Sequence, residues 1–157
     1  MIKRKQAGFT LIELLVVIGI LAVLLAIVLV AINPSRQFKQ ANDTKRTSDV
    51  NAILNAITQY SADNKGNLTG LALKAAGTAT NLNTTDAAVL CEAIVPTYIA
   101  ALPGDPTTAT GTMPTDATTC AAAGWDTKYT VTLTATGRIT VSATGEMVPA
   151  TPISVTR

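Results

Sequence analysis

Histidine is absent from the 157-residue sequence, which also has only two cysteines, two Phe, three Tyr and one Trp. Without histidine, a hydrolase would need a less common general base, and the serines and acidic residues form no motif that suggests one. A zinc site would be short of ligands, because two thiolates alone do not complete a tetrahedral shell. The composition therefore disfavours an enzyme.

Charge of either sign is also scarce. Asp, Glu, Lys and Arg make up 14% of the sequence, with twelve basic and ten acidic side chains. Lys3, Arg4 and Lys5 lie before Phe9, so a chain that began at Phe9 would carry nine basic and ten acidic groups, a net charge of −1. Domains that bind nucleic acid are usually strongly basic. Binding of nucleic acid is therefore not indicated.

One long apolar run follows this basic start, with no charged residue between Leu14 and Ile32. A helix from Phe9 to Ile32 would be about 36 Å long, enough to cross a hydrocarbon core of about 30 Å. The run is too long for the apolar region of a secretory signal, and a buried core helix of this kind would need a larger domain around it. It predicts a single membrane span, with the basic N-terminus in the cytoplasm and the rest of the chain outside.

Glu13 is the one charged residue close to the start of this segment. A carboxylate within a membrane segment costs on the order of 2.5–3.5 kcal/mol, so a partner of opposite charge is expected. Cleavage between Gly8 and Phe9 would create a positively charged amine at the same depth as Glu13. In a staggered assembly, Glu13 of one subunit could meet the amine of the next.

The sequence from Gly8 to Glu13, GFTLIE, resembles the processing site of type IV prepilins and of the pseudopilins of type II secretion. In that family a membrane aspartic peptidase cuts after the residue that matches Gly8 and methylates the new N-terminus, here Phe9. The residue that matches Glu13 neutralises the N-terminus of a neighbouring subunit, and Thr10 is assigned to the same assembly site.

The resemblance also implies partners and a location. It implies a homo-oligomer in a helical filament, processed by prepilin peptidase and built by the pilus assembly machinery. Before assembly the chain would cross the bacterial cytoplasmic membrane once and contact lipid, and afterwards it would be part of an extracellular filament.

The helical pattern is interrupted after the apolar run by Asn33-Pro34-Ser35. Proline removes a helical hydrogen bond, so a kink or local unwinding is expected at Pro34. A second, amphipathic helix then follows, which Gly66 would end. Its apolar residues are predicted to pack on a head domain, and its charged residues to stay in solvent or meet neighbouring subunits. The apolar residues are Val50, Ile53, Leu54, Ile57 and Tyr60; the charged residues are Lys39, Asp43, Lys45, Arg46 and Asp49.

The two cysteines, Cys91 and Cys120, would both lie outside the membrane, where disulfides persist, and only one pairing exists. A disulfide between them is predicted. Some major pseudopilins that the chain resembles carry calcium before their final strands, where this sequence has Asp105, Asp116 and Asp126. Their spacing matches no calcium-binding motif, so solvated turn aspartates are favoured, calcium is the minority hypothesis, and no other metal or cofactor is predicted.

Strand patterns lie near the end of the chain. Alternation at 129–134 and 139–142 predicts a hairpin, with a weaker third strand at 153–155. The fold class is α+β, with a long N-terminal helix packed on a small antiparallel sheet, as in pilins. The predicted segments are a leader (1–8), a transmembrane or fibre-core helix (9–32), an amphipathic helix (33–64), a loop region with a short helix (65–127) and the sheet (128–157).

The leading functional hypothesis is a major structural subunit of a type IV pilus. A pseudopilin of a type II secretion system is the serious alternative, because residues 47–64 also resemble the helix of major pseudopilins. A monomeric, membrane-anchored binding module is the third hypothesis, in which the leader would be kept and no polymer would form.

Overall fold

The computed structural model describes residues 8–148 and 151–157. Apart from Gly8, the predicted leader lies outside the described residues. The chain divides into two compact units, Met1–Phe38 and Lys39–Arg157, called the stem and the head below.

The stem contains helix α1, Leu11–Ile32, which ends where Asn33 adopts a left-handed conformation (φ 42°). Helix α2, Pro34–Asp63, starts at the next residue and continues into the head. The side-chain Oδ1 of Asn33 accepts hydrogen bonds from the hydroxyl of Ser35 (2.8 Å) and the backbone N–H of Arg36 (3.4 Å). Asn33 therefore ends one helix and caps the next, while Pro34 occupies the first helical position, where its missing N–H costs nothing.

The head holds a four-stranded antiparallel sheet in the order β1-β2-β3-β4. Its strands are β1 (Ala79–Asn83), β2 (Asp126–Leu133), β3 (Ile139–Ala143) and β4 (Ile153–Thr156), and two short helices, α3 (Ala88–Ile94) and α4 (Ala117–Ala121), lie between β1 and β2. The predicted hairpin is β2 and β3, paired with Val131 opposite Val141. The α+β fold class is confirmed.

Strand β1 was not predicted from the sequence, because it lies in the predicted loop region, 65–127, for which only one short helix was expected; helix α4 was not predicted either. The sequence of β1, ATNLN, has one strongly apolar residue and two asparagines, which are uncommon in strands. Burial of Thr80 and Leu82 holds this edge strand against β2. Tertiary packing therefore outweighs a weak local preference.

The core of the head combines one face of α2 with the inner face of the sheet and with α3. From α2 it contains Val50, Ile53, Leu54, Ala56 and Ile57; relative to the predicted stripe, Ala56 is added and Tyr60 is only partly buried against the core. Tyr129, Val131 and Val141 are fully buried from the sheet. Alternate residues such as Thr130 and Ser142 lie on the other face, where their hydroxyls are hydrogen-bonded at 2.8 Å.

Arg46 corrects one expectation for α2. It was predicted to stay in solvent or meet a neighbouring subunit, but it is 1% exposed in this single chain. Its Nε donates to Asp105 Oδ2 (2.5 Å), its Nη1 to Asp43 Oδ1 (2.8 Å) and its Nη2 to Glu146 Oε1 (2.7 Å). These four residues, Asp43, Arg46, Asp105 and Glu146, form what we call the guanidinium cluster.

The electrostatics of the cluster follow from these contacts. Burial alone would raise the pKa of Asp105, but the hydrogen bonds from Arg46 and from the backbone of Thr107 hold that pKa well below its ordinary value. The hydrogen bond from Arg46 is also the main reason that the pKa of Glu146 is lowered. The pKa of Arg46 is raised, chiefly by its hydrogen bond to Asp105. All four groups therefore remain charged at neutral pH.

Candidate processing and assembly site

The first described residues are exposed and precede the first helix. Residues 8–10 have no helix or strand assignment, and Gly8, Phe9 and Thr10 are all exposed, Phe9 at 90%. Among the described residues, no atom other than those of Gly8 and its chain neighbours lies within 4 Å of the place where a Cβ would be attached to Gly8. The Gly8–Phe9 peptide bond, the predicted cleavage point, therefore lies in an exposed part of the described chain.

Thr10 and Glu13 are brought together at the start of α1. Thr10 is the N-cap, and its hydroxyl oxygen accepts from the backbone N–H of Glu13 at 3.2 Å. In return, Glu13 Oε2 accepts from the backbone N–H of Thr10 and from its hydroxyl, both at 2.8 Å. This reciprocal capping box satisfies N–H groups at the helix start that have no intrahelical partner.

The capping box fixes where the carboxylate lies. Glu13 is in the first turn of α1, where a negative charge interacts favourably with the helix dipole. Only Oε2 of Glu13 is used; within residues 8–148 and 151–157, no donor contacts Oε1. The carboxylate is thus pre-positioned next to Thr10, one residue from Phe9, with one oxygen still able to accept a hydrogen bond.

Helix α1 exposes apolar side chains on every side. It has no buried residue, and Leu14, Val23 and Ile27 are each more than half exposed. Its 22 residues make it the one helix among the described residues that is long and apolar enough to cross a membrane. An all-round apolar helix of this kind needs either lipid or other apolar helices around it.

The remaining predicted site residues lie elsewhere. Pro34 begins α2, as described above. Cys91 and Cys120 form the predicted disulfide, with Cα atoms 5.6 Å apart, and join α3 to α4 inside the head core.

The three aspartates considered for calcium are not used together. Asp105 pairs with Arg46, Asp116 caps α4 by accepting from Thr119 N–H (2.8 Å), and Asp126 pairs with the ammonium group of Lys128. Across the part of the chain that the structure describes, no group of three His, Cys, Asp or Glu side chains is arranged to hold a metal ion.

Sequence reasoning missed two roles. Pro34 was predicted as the site of a kink, but Asn33 adopts the left-handed conformation that ends α1, and the Asn-Pro pair is the signal that indicates it. Arg46 was taken for a surface charge. The i, i+3 spacing of Asp43 and Arg46 was a local signal for their ion pair, but Asp105 and Glu146 are far away in the sequence and only the fold brings them to Arg46.

Comparison with known proteins finds similarity in the N-terminal part of the chain. A family model for the prokaryotic N-terminal methylation motif matches residues 3–29. Type II secretion system core protein G of Aeromonas hydrophila is 41% identical over 62 residues, which cover 40% of this chain and 42% of that protein. The type IV wide pilus major component PilA4 of Thermus thermophilus is 43% identical over 61 residues, which cover 39% of this chain and 45% of that protein.

The matched segment therefore spans less than half of either relative. No solved structure matches the chain significantly. The methylation motif covers the capping box and most of α1, and one relative is a pseudopilin while the other is a pilin. With the apolar N-terminal helix and the α+β head, the chain fits the family of type IV pilins and type II secretion pseudopilins, to whose members its N-terminal part is similar.

Proposed function

We propose that the chain is the major structural subunit of a type IV pilus, and that it polymerises through α1. The observation that carries this proposal is the exposed apolar surface of α1 together with the single carboxylate in its first turn. An apolar helix without partners is stable in lipid, and bundling many copies would bury the same surface in a fibre core. No catalytic role is proposed.

Processing comes first in this proposal. The chain is inserted with its basic leader in the cytoplasm and the head outside, a prepilin peptidase cuts between Gly8 and Phe9, and the new amine of Phe9 is methylated. The exposure of these two residues supports access by such an enzyme. The assembly machinery then moves the processed subunit from the membrane into the filament.

Glu13 sets the axial register in the next step. Its Oε2 stays in the capping box with Thr10, and its Oε1 accepts a hydrogen bond from the Phe9 ammonium group of a neighbouring subunit. An unpaired carboxylate in an apolar surrounding costs on the order of 2.5–3.5 kcal/mol, so a subunit at the wrong height is penalised. The pair therefore favours one stagger between adjacent stems.

Substitution of Glu13 tests this role. Glu13→Gln keeps the shape and can still accept from Thr10, but it has no charge for the Phe9 amine. We expect it to be cleaved normally and to be lost from filaments, as measured by immunoblots of membrane and sheared fractions. Leu15→Ile, an apolar exchange on the same helix, is the matched control and is expected to assemble. Normal filaments from Glu13→Gln would refute the register role.

A pseudopilin of a type II secretion system is the second candidate. It is favoured by the similarity to core protein G of Aeromonas hydrophila, which is as extensive as the similarity to the pilus component. In that case the processed chain would form a short periplasmic fibre and would stay with the membranes when cells are sheared. The membrane-anchored monomer would instead keep residues 1–8 and form no polymer.

A further inference from the structure

The guanidinium cluster joins three separate parts of the head. Asp43 lies on α2 with Arg46, Asp105 lies in the loop between α3 and α4, and Glu146 lies in the loop between β3 and β4. The carboxylates of Asp105 and Glu146 are 59 and 100 positions from Arg46 in the sequence, yet both accept directly from it. One side chain thus ties α2 to two long loops.

Each carboxylate also accepts hydrogen bonds from uncharged groups. Asp43 accepts from the backbone N–H groups of Glu146 (2.8 Å) and Met147 (2.9 Å). Asp105 accepts from the backbone N–H groups of Thr107 (2.9 Å) and Thr108 (2.8 Å). These contacts fold both loops around their own acids, so that the acids converge on the guanidinium.

Glu146 has its own neutral donors. The side-chain amide of Asn42 donates to Oε1 at 3.1 Å and to Oε2 at 3.3 Å, and the hydroxyl of Thr107 donates to Oε1 at 3.1 Å. Among the described residues, no buried side-chain nitrogen or oxygen lacks a hydrogen-bond partner. The cluster is therefore satisfied within one chain.

Bridging carboxylates from distant loops is also what a bound divalent cation does in many extracellular domains. A cavity of about 440 Å³ lies beside the cluster, and Arg46, Lys128, Asp105 and Glu146 supply its charged groups. Two positive and two negative side chains leave its lining without net charge. A divalent cation entering there would lie beside the positive groups of Arg46 and Lys128 and would compete with Arg46 for Asp105 and Glu146.

The residues considered for calcium do not fit that ion either. Asp116 and Asp126 serve local contacts, a helix cap and an ion pair, and only Asp105 belongs to the cluster. The carboxylates that do converge are Asp43, Asp105 and Glu146, and the centre of that arrangement is occupied by the guanidinium.

We propose that Arg46 takes the place of a bound divalent metal ion in the head. Its guanidinium joins carboxylates from separate segments, as such an ion would otherwise do, and it makes the folding stability of the head independent of divalent cations. The proposal concerns the head alone. It holds whether the chain works in a pilus or in a pseudopilus.

The test uses the full chain solubilised in detergent. Urea unfolding is followed by the fluorescence of Trp125, the one tryptophan, which is 3% exposed in the head core. Curves are recorded with millimolar CaCl₂, with MgCl₂ and with EDTA. We expect the same midpoint in all three conditions. A midpoint that rises with CaCl₂ and saturates, or that falls in EDTA, would overturn the proposal.

Variants locate the effect at Arg46. Arg46→Met removes the charge and keeps a long side chain, so three carboxylates are left without their cation, and a large fall in the midpoint is expected. Adding Asp105→Asn and Glu146→Gln to Arg46→Met removes most of that negative charge and should recover part of the loss. Arg138→Met, at an exposed position between β2 and β3, is the matched control and should leave the midpoint unchanged.

The bridging role of Arg46 and the independence from divalent cations can be contradicted separately. An Arg46→Met chain as stable as the native chain would contradict the bridging role. If Arg46→Met does not fold, Arg46→Lys serves in its place; it keeps the charge but loses the planar fork, so a smaller fall in the midpoint is expected. The cation titration of the native chain decides the metal-independence in every case.

Discussion

The disulfide between Cys91 and Cys120 gives the most direct prediction about stability. Replacing both cysteines by alanine is expected to lower the free energy of unfolding of the head by about 3–4 kcal/mol. The bridge links positions 29 apart, and a closed loop of roughly 30 residues removes about that much conformational freedom from the unfolded chain. Both cysteines are fully buried among apolar side chains, so alanine fits the site chemically and serine would not.

Trp125 reports on this bridge, because its indole Nε1–H donates to the backbone oxygen of Cys120 at 3.0 Å. Urea unfolding of the detergent-solubilised full chain, followed by its fluorescence, measures the loss; in thermal unfolding the same loss corresponds to about 10–15 °C. Adding dithiothreitol to the unfolded native chain and refolding it should reproduce the midpoint of the double variant. A double variant within about 1 kcal/mol of the native chain would refute the reasoning.

Three further predictions concern the head. Acidification should destabilise the head. The three carboxylates of the guanidinium cluster have a lower pKa in the folded head than in the unfolded chain, so the unfolded chain takes up protons first as the pH falls. Their contribution to the free energy of unfolding is therefore complete above about pH 5 and is lost as the pH falls below about 4. Thermal midpoints between pH 7 and pH 2 measure this, and a midpoint that rises on acidification would contradict it. Gly111→Ala should cost at least about 2 kcal/mol, because φ is +77° and the new Cβ would clash with the backbone oxygen of Gly124. Gly137→Ala, at a similar φ of +79° but in open space, is the control and should cost about 1 kcal/mol; equal losses would show that the contact is unimportant. Tyr129→Phe removes the 2.9 Å hydrogen bond to Asp49 and should cost about 1–2 kcal/mol in urea unfolding, whereas an unchanged midpoint would show that water replaces the phenol.

The structure of the N-terminal half of the chain could be predicted from the sequence because the patterns that determine it are local. The apolar run and the carboxylate at Glu13 follow from hydropathy and charge alone, and the Asn-Pro pair marks the end of α1. The i, i+3, i+4 spacing on α2 also gave most of its buried face. Where a feature depends on the residues of a single helix, the prediction from the sequence pattern agrees with the structure.

The head was harder to predict because its decisive contacts are long-range. The residues of strand β1 have a low propensity for strands, and β1 forms because it pairs with the edge of β2. Arg46 has the sequence context of a surface residue, and its burial depends on acids that arrive from two distant loops. No short stretch of sequence contains both Arg46 and the acids that bury it. The role of Glu13 between subunits is likewise a proposal, because it depends on a second chain.

The central claim is that Phe9 becomes a methylated N-terminus of a subunit that enters a surface filament. Mass spectrometry of the N-terminal peptide tests it, with material sheared from cells compared with material left in the membrane. Trypsin would release the processed terminus as peptide 9–36, since Arg36 is the first basic residue after Phe9. We expect this peptide with a methylated Phe9 in the sheared fraction. Processed peptide confined to the membrane would contradict the pilus and favour the pseudopilus, and a retained leader in both fractions would contradict processing altogether.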